Sequence, residues 1–365
     1  MKFNQIPDFF MAGRRAAAAY VVRFSAFIAW TLLIAAPGSN VWSDTLPTDF
    51  SRLDTYIQSQ LESASIPGAT LVVVSKDKVL HMRGFGIRGP DGNPPTSQTL
   101  FMLGSTSKSF TALAIMQLVE AGKIGLDLPV KTYLPWFQVA DPVASGRITV
   151  RQLLNQNSGF STLDGRKNFA NTDRSDTALE LNVRELKNVK LQSAPGTHWE
   201  YSNINYVILG YLVQAISGEP YDRYIERNVF GPLGMKNSSA SDKLGRTADL
   251  ATGYRYWFGK AKPAYELPYP TSQVSAGYLF TNAEDMGRYL MAHLNGGVVE
   301  GVSVISSSGI DTLHLSGVPI FGNDRYAMGW FFNSSTPTFF DHNGGLPNFF
   351  SQMAIDTKEG WGVAL

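Results

Sequence analysis

The stretch Phe101 to Lys123, FMLGSTSKSFTALAIMQLVEAGK, constrains this chain more than any other. After Ser105 it runs almost unbroken through helix-forming apolar residues and stops at Gly122. Such a run reads as a buried helix. If Ser105 opens that helix, Lys108 follows one turn later on the same face, and hydroxyl and amine can come within hydrogen-bonding range. Free N–H groups and the positive end of the helix dipole then favour the Ser105 alkoxide. This is the geometry of an acylating serine with a lysine as base. A serine N-cap followed by a solvated lysine has the same local pattern. The chain holds its own control in Ser75-Lys76-Asp77-Lys78, within ATLVVVSKDKVLHMRGF. There β-branched residues on both sides of Lys-Asp-Lys predict strand, turn, strand, which offers no helix dipole.

Composition narrows the chemistry. The 365 residues are 44% hydrophobic and 17% charged, enough for one large domain or two small ones. With 31 basic and 30 acidic residues and no basic stripe or charged tail, no nucleic-acid or polyanionic partner is implied. The absence of cysteine excludes disulfides, thiol nucleophiles, Cys-ligated metals and a lipidated cysteine. Of the five histidines, His81, His198, His293, His314 and His342, no two have the i, i+4 spacing of a helical zinc site. No metal site and no cofactor are called for, with carboxylate-only magnesium or calcium sites left open.

The N-terminus carries Arg14, Arg15 and Arg23 before the apolar run Phe24 to Ala36. That run is short for a membrane span and normal for a signal-peptide core. Pro37-Gly38 breaks it, and Val41-Trp42-Ser43 offers a cleavage site. The expectation is a signal peptide over 1–43, ordinary secretion, and a periplasmic or secreted mature chain without a stable membrane span. An uncleaved N-terminal anchor is the alternative.

Along the mature chain, Leu53, Ile57 and Leu61 place an amphipathic helix over Phe50 to Ala64. A hairpin over Ala69 to Phe85 follows, then a Gly/Pro-rich loop into the serine helix. Ile148 to Gln156 reads as a short helix capped by Thr149. Ser161 to Arg184 has no clear period, and Tyr206, Leu209, Leu212, Val213 and Ile216 recur at helical spacing up to Gly218. Another helix starts at Pro220 and closes at Phe230 to Gly234. Tyr254 to Tyr269 is crowded with aromatics and prolines and either lines a cleft or packs on its own domain. Thr281 or Asn282 caps a helix through His293, with Glu284 and Asp285 in its first turn. From Tyr326 the pattern turns strand-like to the end. The order predicts an α/β chain of the α+β type: an antiparallel sheet flanked by helices plus a mostly helical subdomain. The mature domain is expected over 44–365, its sheet part about 44–104 and 326–365, its helical part about 105–325. Because Leu365 reads as lying inside a strand, a closing strand and helix are expected beyond it.

Two further motifs complete a constellation. Tyr201-Ser202-Asn203 precedes a helix, and His342-Asn343-Gly344 ends a strand. With Ser105-x-x-Lys108 they stand in the order and at the rough separations of serine β-lactamases and penicillin-binding proteins. The chain resembles the class C-like branch, which includes DD-peptidases and esterases, over roughly Phe50 to Leu365. The blocks ITVRQLLNQNSGF, PGTHWEYSN, FGPLGM, SAGYLFTNAEDMGRYL, YAMGW and HNGGLPNFFS are similar to recurrent family segments. Asn155-Gln156-Asn157 has Gln-Asn where the family often has His-Thr. Glu180 precedes the tyrosine motif, unlike the deacylating glutamate of class A enzymes, and no Gly-x-Ser-x-Gly elbow is present.

The resemblance implies a β-lactamase/transpeptidase-like fold and an exported serine hydrolase. Ser105 attacks a carbonyl and forms an acyl-enzyme. Either Lys108 is the base, its pKa depressed by burial, or a charged Lys108 lowers that of Tyr201, which then takes the proton. Asn203 is expected to hydrogen-bond Lys108 or the substrate amide, and Asn343 and Gly344 belong to the substrate-binding strand. His342 stands where most dedicated β-lactamases have lysine, and a neutral imidazole is a weaker anchor for a carboxylate. The N–H groups of Ser105 and Gly345 form the oxyanion hole by likeness. The substrates implied are D-amino-acid peptides of cell-wall origin or small esters, with β-lactams behind them. A penicillin-binding or sensor-type protein that is acylated without efficient turnover is the alternative. The other four histidines are read as structural or surface residues.

Overall fold

The computed structural model describes residues 49–167, 172–242, 249–264 and 269–365. The expected signal segment lies outside them. The chain divides into two compact units, Met1–Ser63 and Ala64–Leu365. Within the first, helix α1 spans Ser51–Ser63 and buries Leu53, Ile57 and Leu61, the stripe its period predicts.

In the second unit an eight-stranded antiparallel sheet is built from both ends of the sequence. The early hairpin is β1 (Gly68–Ser75) and β2 (Val79–Gly86), turning at Lys76-Asp77-Lys78. The late strands are β3 (Val318–Pro319), β4 (Asp324–Ala327), β5 (Trp330–Asn333), β6 (Thr336–Gly345), β7 (Phe350–Asp356) and β8 (Trp361–Ala364). Their spatial order is β2-β1-β8-β7-β6-β5-β4-β3. β8 inserts between β1 and β7, pairing Ala364 with both Val72 and Met353. The late part of the sheet thus starts at Val318, ahead of the Tyr326 read from the pattern; a two-residue edge strand is too short to show a period.

Between the two parts of the sheet run the helices. The central one is α2 (Ser107–Glu120), in which every residue from Ser107 to Met116 is buried. It packs against α3 (Asn203–Ser217) and the short helix Val274–Gly277. The capped helix α4 (Ala283–Leu294) lies against β1 and β8, its N-terminus closed by Asn282 Oδ1 accepting from Asp285 N at 2.9 Å. Thr149 forms a capping box with Gln152 at the head of Val150–Leu154. α3 ends at Gly218, in the left-handed region at φ 78°.

The aromatic segment divides: Tyr269 packs on its own domain, buried against Tyr278 and Phe280, whereas Tyr254–Trp257 and Lys260–Pro263 pair as a largely exposed hairpin. Residues 265–268 of the segment lie outside the described set. Among the described residues no helix is long and apolar enough to cross a membrane. His293 and His314 stack in the core with their nitrogens 3.0 Å apart, and His198 is exposed.

Candidate active site

The nucleophile turn is shaped by glycine. Gly104 to Thr106 form one 3₁₀ turn that runs directly into α2, so Ser105 stands just ahead of the regular helix. Gly104 sits at φ 56°, and a Cβ there would lie 2.5 Å from the Gly345 nitrogen. A Cβ on Gly344 would collide with the Leu103 carbonyl. Only glycine at these positions lets the end of β6 abut the serine turn. The Leu103 carbonyl is fixed by donation from Ser351 Oγ at 2.6 Å and Thr106 Oγ1 at 2.8 Å. Sheet and helix are thereby clamped together at Ser105.

Helical spacing then stacks Lys108 on Ser105, with Nζ to Oγ 3.1 Å. The amine also donates to the Ala276 carbonyl at 2.5 Å, and these are its hydrogen bonds among the described residues. Lys108 is 0% exposed. Burial, with no carboxylate bonded to it, pushes its pKa well below that of an ordinary lysine. Tyr201 approaches from the start of α3, its ring centroid 5.0 Å from Nζ. Its hydroxyl is buried and makes no well-formed hydrogen bond, although it lies near enough to Ser105 to feel that group. Burial first, then neighbouring Tyr326, raises the Tyr201 pKa well above the usual phenol value, with Ser105 acting the other way. Both desolvation effects favour an uncharged amine beside an uncharged phenol.

His342 completes the wall and is 1% exposed. Its Nδ1–H donates to the Asn343 carbonyl at 2.6 Å, leaving Nε2 as acceptor, 3.4 Å from the Tyr326 hydroxyl. Burial, and secondarily Lys108, lowers its pKa to about 3, against the pull of the Asn343 bond. The imidazole is therefore neutral, with Nδ1–H committed to the backbone. Asn343 alternates to the opposite strand face and is exposed, so it serves His342 through its carbonyl.

For Asn203 the structure decides between the two expected partners only as far as Lys108. The side chain does not bond Lys108: its Nδ2 faces the Gly165 carbonyl at 3.5 Å, and its Oδ1 is buried without a partner. The anchor of the amine is instead the Ala276 carbonyl, which no side-chain motif announces. Gln156, which departs from the family pattern, supports the tyrosine motif. Its Oε1 accepts from Ser202 N at 3.0 Å and from Asn205 Nδ2 at 2.5 Å. Tyr326, within the YAMGW block, was the signal that could have revealed the partner of His342. Among the described residues no group of three or more His, Asp or Glu could hold a metal ion.

The structure thus brings Ser105, Lys108, Tyr201, His342, Gly344 and Gly345 to one place. Comparison with known proteins places the whole chain. Protein flp of Staphylococcus aureus (strain MRSA252) is 28% identical over 318 residues, 86% of this chain and 62% of that protein. The chain thus spans somewhat under two thirds of the length of these curated relatives. Penicillin-binding protein PbpX of Bacillus subtilis (strain 168) is 29% identical over 298 residues, 80% of this chain and 68% of that one. In three dimensions the chain is similar to the octameric penicillin-binding protein homologue from Pyrococcus abyssi. The TM-score is 0.75 at 27% identity, over 87% of this chain and 72% of that one. Residues 53–365 match the Beta-lactamase family, and with this match over most of its length the chain belongs to that family of serine hydrolases.

Proposed function

We propose that the chain is an exported hydrolase that acts through an acyl-enzyme on Ser105. The observation that carries this reading is the buried Lys108 amine, 3.1 Å from the Ser105 hydroxyl and without a carboxylate bonded to it. An amine kept neutral by burial has the lone pair a general base needs. Lys108 takes the Ser105 proton as Oγ attacks a carbonyl carbon. The oxyanion accepts from the N–H groups of Ser105 and Gly345, which the Gly104 contact holds side by side. Tyr201, protonated, passes its proton to the leaving group and is reprotonated by the Lys108 ammonium, and water then attacks the acyl-enzyme by the same relay in reverse to release the acid.

Substrate choice follows from the third motif. A neutral His342 whose Nδ1–H is engaged offers no charge to a substrate carboxylate. That supports small esters first, D-amino-acid peptides of cell-wall origin second, and β-lactams last. The relatives named as penicillin-binding proteins support acylation by β-lactams with slow release as the second reading. A panel of p-nitrophenyl acetate, a D-Ala-D-Ala peptide and nitrocefin, read by turnover and by intact mass, separates these. Steady ester turnover with an acyl adduct on Ser105 is expected. A stoichiometric burst with nitrocefin and no turnover of anything selects the second reading. Turnover that survives Ser105→Ala removes both. Export is tested separately, by N-terminal sequencing of the periplasmic product, with a new terminus expected near Ser43.

A further inference from the structure

The hairpin Tyr254–Pro263 presents its largest apolar side chains to solvent: Trp257 is 67% and Phe258 91% exposed. Its two-residue turn places both Phe258, at φ 48°, and Gly259, at φ 74°, in the left-handed region. Such a turn favours Asn-Gly, and a bulky aromatic at its first position is strained. Phenylalanine is thus held at the tip against local preference.

The strands add charge. Register places Arg255 opposite Lys262 and Trp257 opposite Lys260, so one face carries these cations around the tryptophan. Like charges directly across a ladder repel. None of the three forms an ion pair among the described residues, and Tyr254 to Ala264 contains no acid, although the chain's net charge is only +1. Lysines on an exposed hairpin keep it from pairing with other chains, but that leaves the tip aromatics without a role. The Trp257 and Phe258 rings meet edge to face, 5.3 Å apart at 87°, a wedge more suited to entering an apolar layer than to stacking nucleobases.

We propose that this hairpin docks the protein on an anionic membrane surface, the tip aromatics entering the interface and Arg255, Lys260 and Lys262 meeting lipid phosphates. The base of the hairpin is tied to the catalytic end of the sheet. Tyr254 N donates to the Asn348 carbonyl at 3.2 Å, and Asn348 Nδ2 donates to the Ala264 carbonyl at 3.3 Å. Asn348 lies in the loop that leaves Gly345, so docking would hold the Ser105 turn near the bilayer.

The test is flotation of the full chain with phosphatidylcholine vesicles, with and without phosphatidylglycerol. Phe258→Asp and the combined R255E, K260E and K262E chain are compared with the parent. All share the same N-terminus, so any difference reports the hairpin. The parent should partition onto the anionic vesicles about ten-fold or more better than either variant. Its preference should fall with salt. Unchanged melting midpoints show that the variants are folded, and Trp257→Ala supplies a third chain should one of them melt early. Equal flotation of parent and folded variants overturns the proposal. So does tighter hairpin-dependent binding to a single-stranded oligonucleotide than to vesicles.

Discussion

The same pattern, Ser-x-x-Lys, occurs in two regions of this molecule with opposite results. At the β1–β2 turn, Ser75 Oγ donates to Asp77 Oδ1 at 2.5 Å and Lys78 reaches into solvent. At the head of α2, Ser105 meets an amine that water cannot reach. A helix stacks residues three apart on one face, while a hairpin turn sends them in different directions. Burial then changes the chemistry of the stacked pair, because a desolvated ammonium gives up its proton. Spacing alone specifies neither a base nor a nucleophile.

Substitution of the serines should separate the regions most widely. Ser105→Ala is expected to lower kcat by roughly 10⁵-fold or more and to abolish the acyl adduct seen by mass. Ser75→Ala should leave both unchanged. Next in size, Lys108→Met should cost about 10³-fold in kcat/KM, and Lys78→Met nothing measurable.

The lysine pair also makes opposite predictions for stability. The Lys108 pKa is depressed on folding, so below the unfolded value of about 10.4 the unfolded chain binds more protons. Stability contributed at this site therefore rises with pH through that window and is diminished at neutral pH. Lys108→Met should raise stability at pH 7 by about 1–2 kcal/mol in urea unfolding, a gain that shrinks as pH approaches 10. Lys78→Met should stay within about 0.5 kcal/mol.

Tyr201→Phe should reduce kcat by about 10²-fold with little change in KM, the signature of a proton relay. The pH profile sharpens the contrast with a tyrosinate base. With Lys108 as base, activity is present above its depressed pKa and falls about ten-fold per unit of pH below it. Because the Tyr201 pKa is raised, no alkaline loss is expected below about pH 10. Gln156→Leu should have the smallest kinetic effect. Loss of its bonds to Ser202 and Asn205 should lower stability by about 1–3 kcal/mol and kcat by a few-fold, read by melting and by ester hydrolysis.

Much of the architecture was legible because its causes are local. The period of Leu53, Ile57 and Leu61, the apolar sweep of α2 and the caps at Thr149 and Asn282 are each written within one or two turns of chain. The hairpin at Tyr254–Pro263 escaped because its outward face is as aromatic as a core strand, which erases the alternation that marks a half-buried strand.

By itself the sequence determined which groups are available: a serine before a buried helix, a lysine one turn on, a tyrosine ahead of a second helix, and glycines ending a strand. Tertiary structure alone decided how they act. The carbonyl that holds the amine comes from Ala276, the support of the tyrosine loop from Gln156, and the partner of His342 from Tyr326. The proton affinity of Lys108 is likewise set by how completely distant segments exclude water from it, a property of packing that no run of letters encodes.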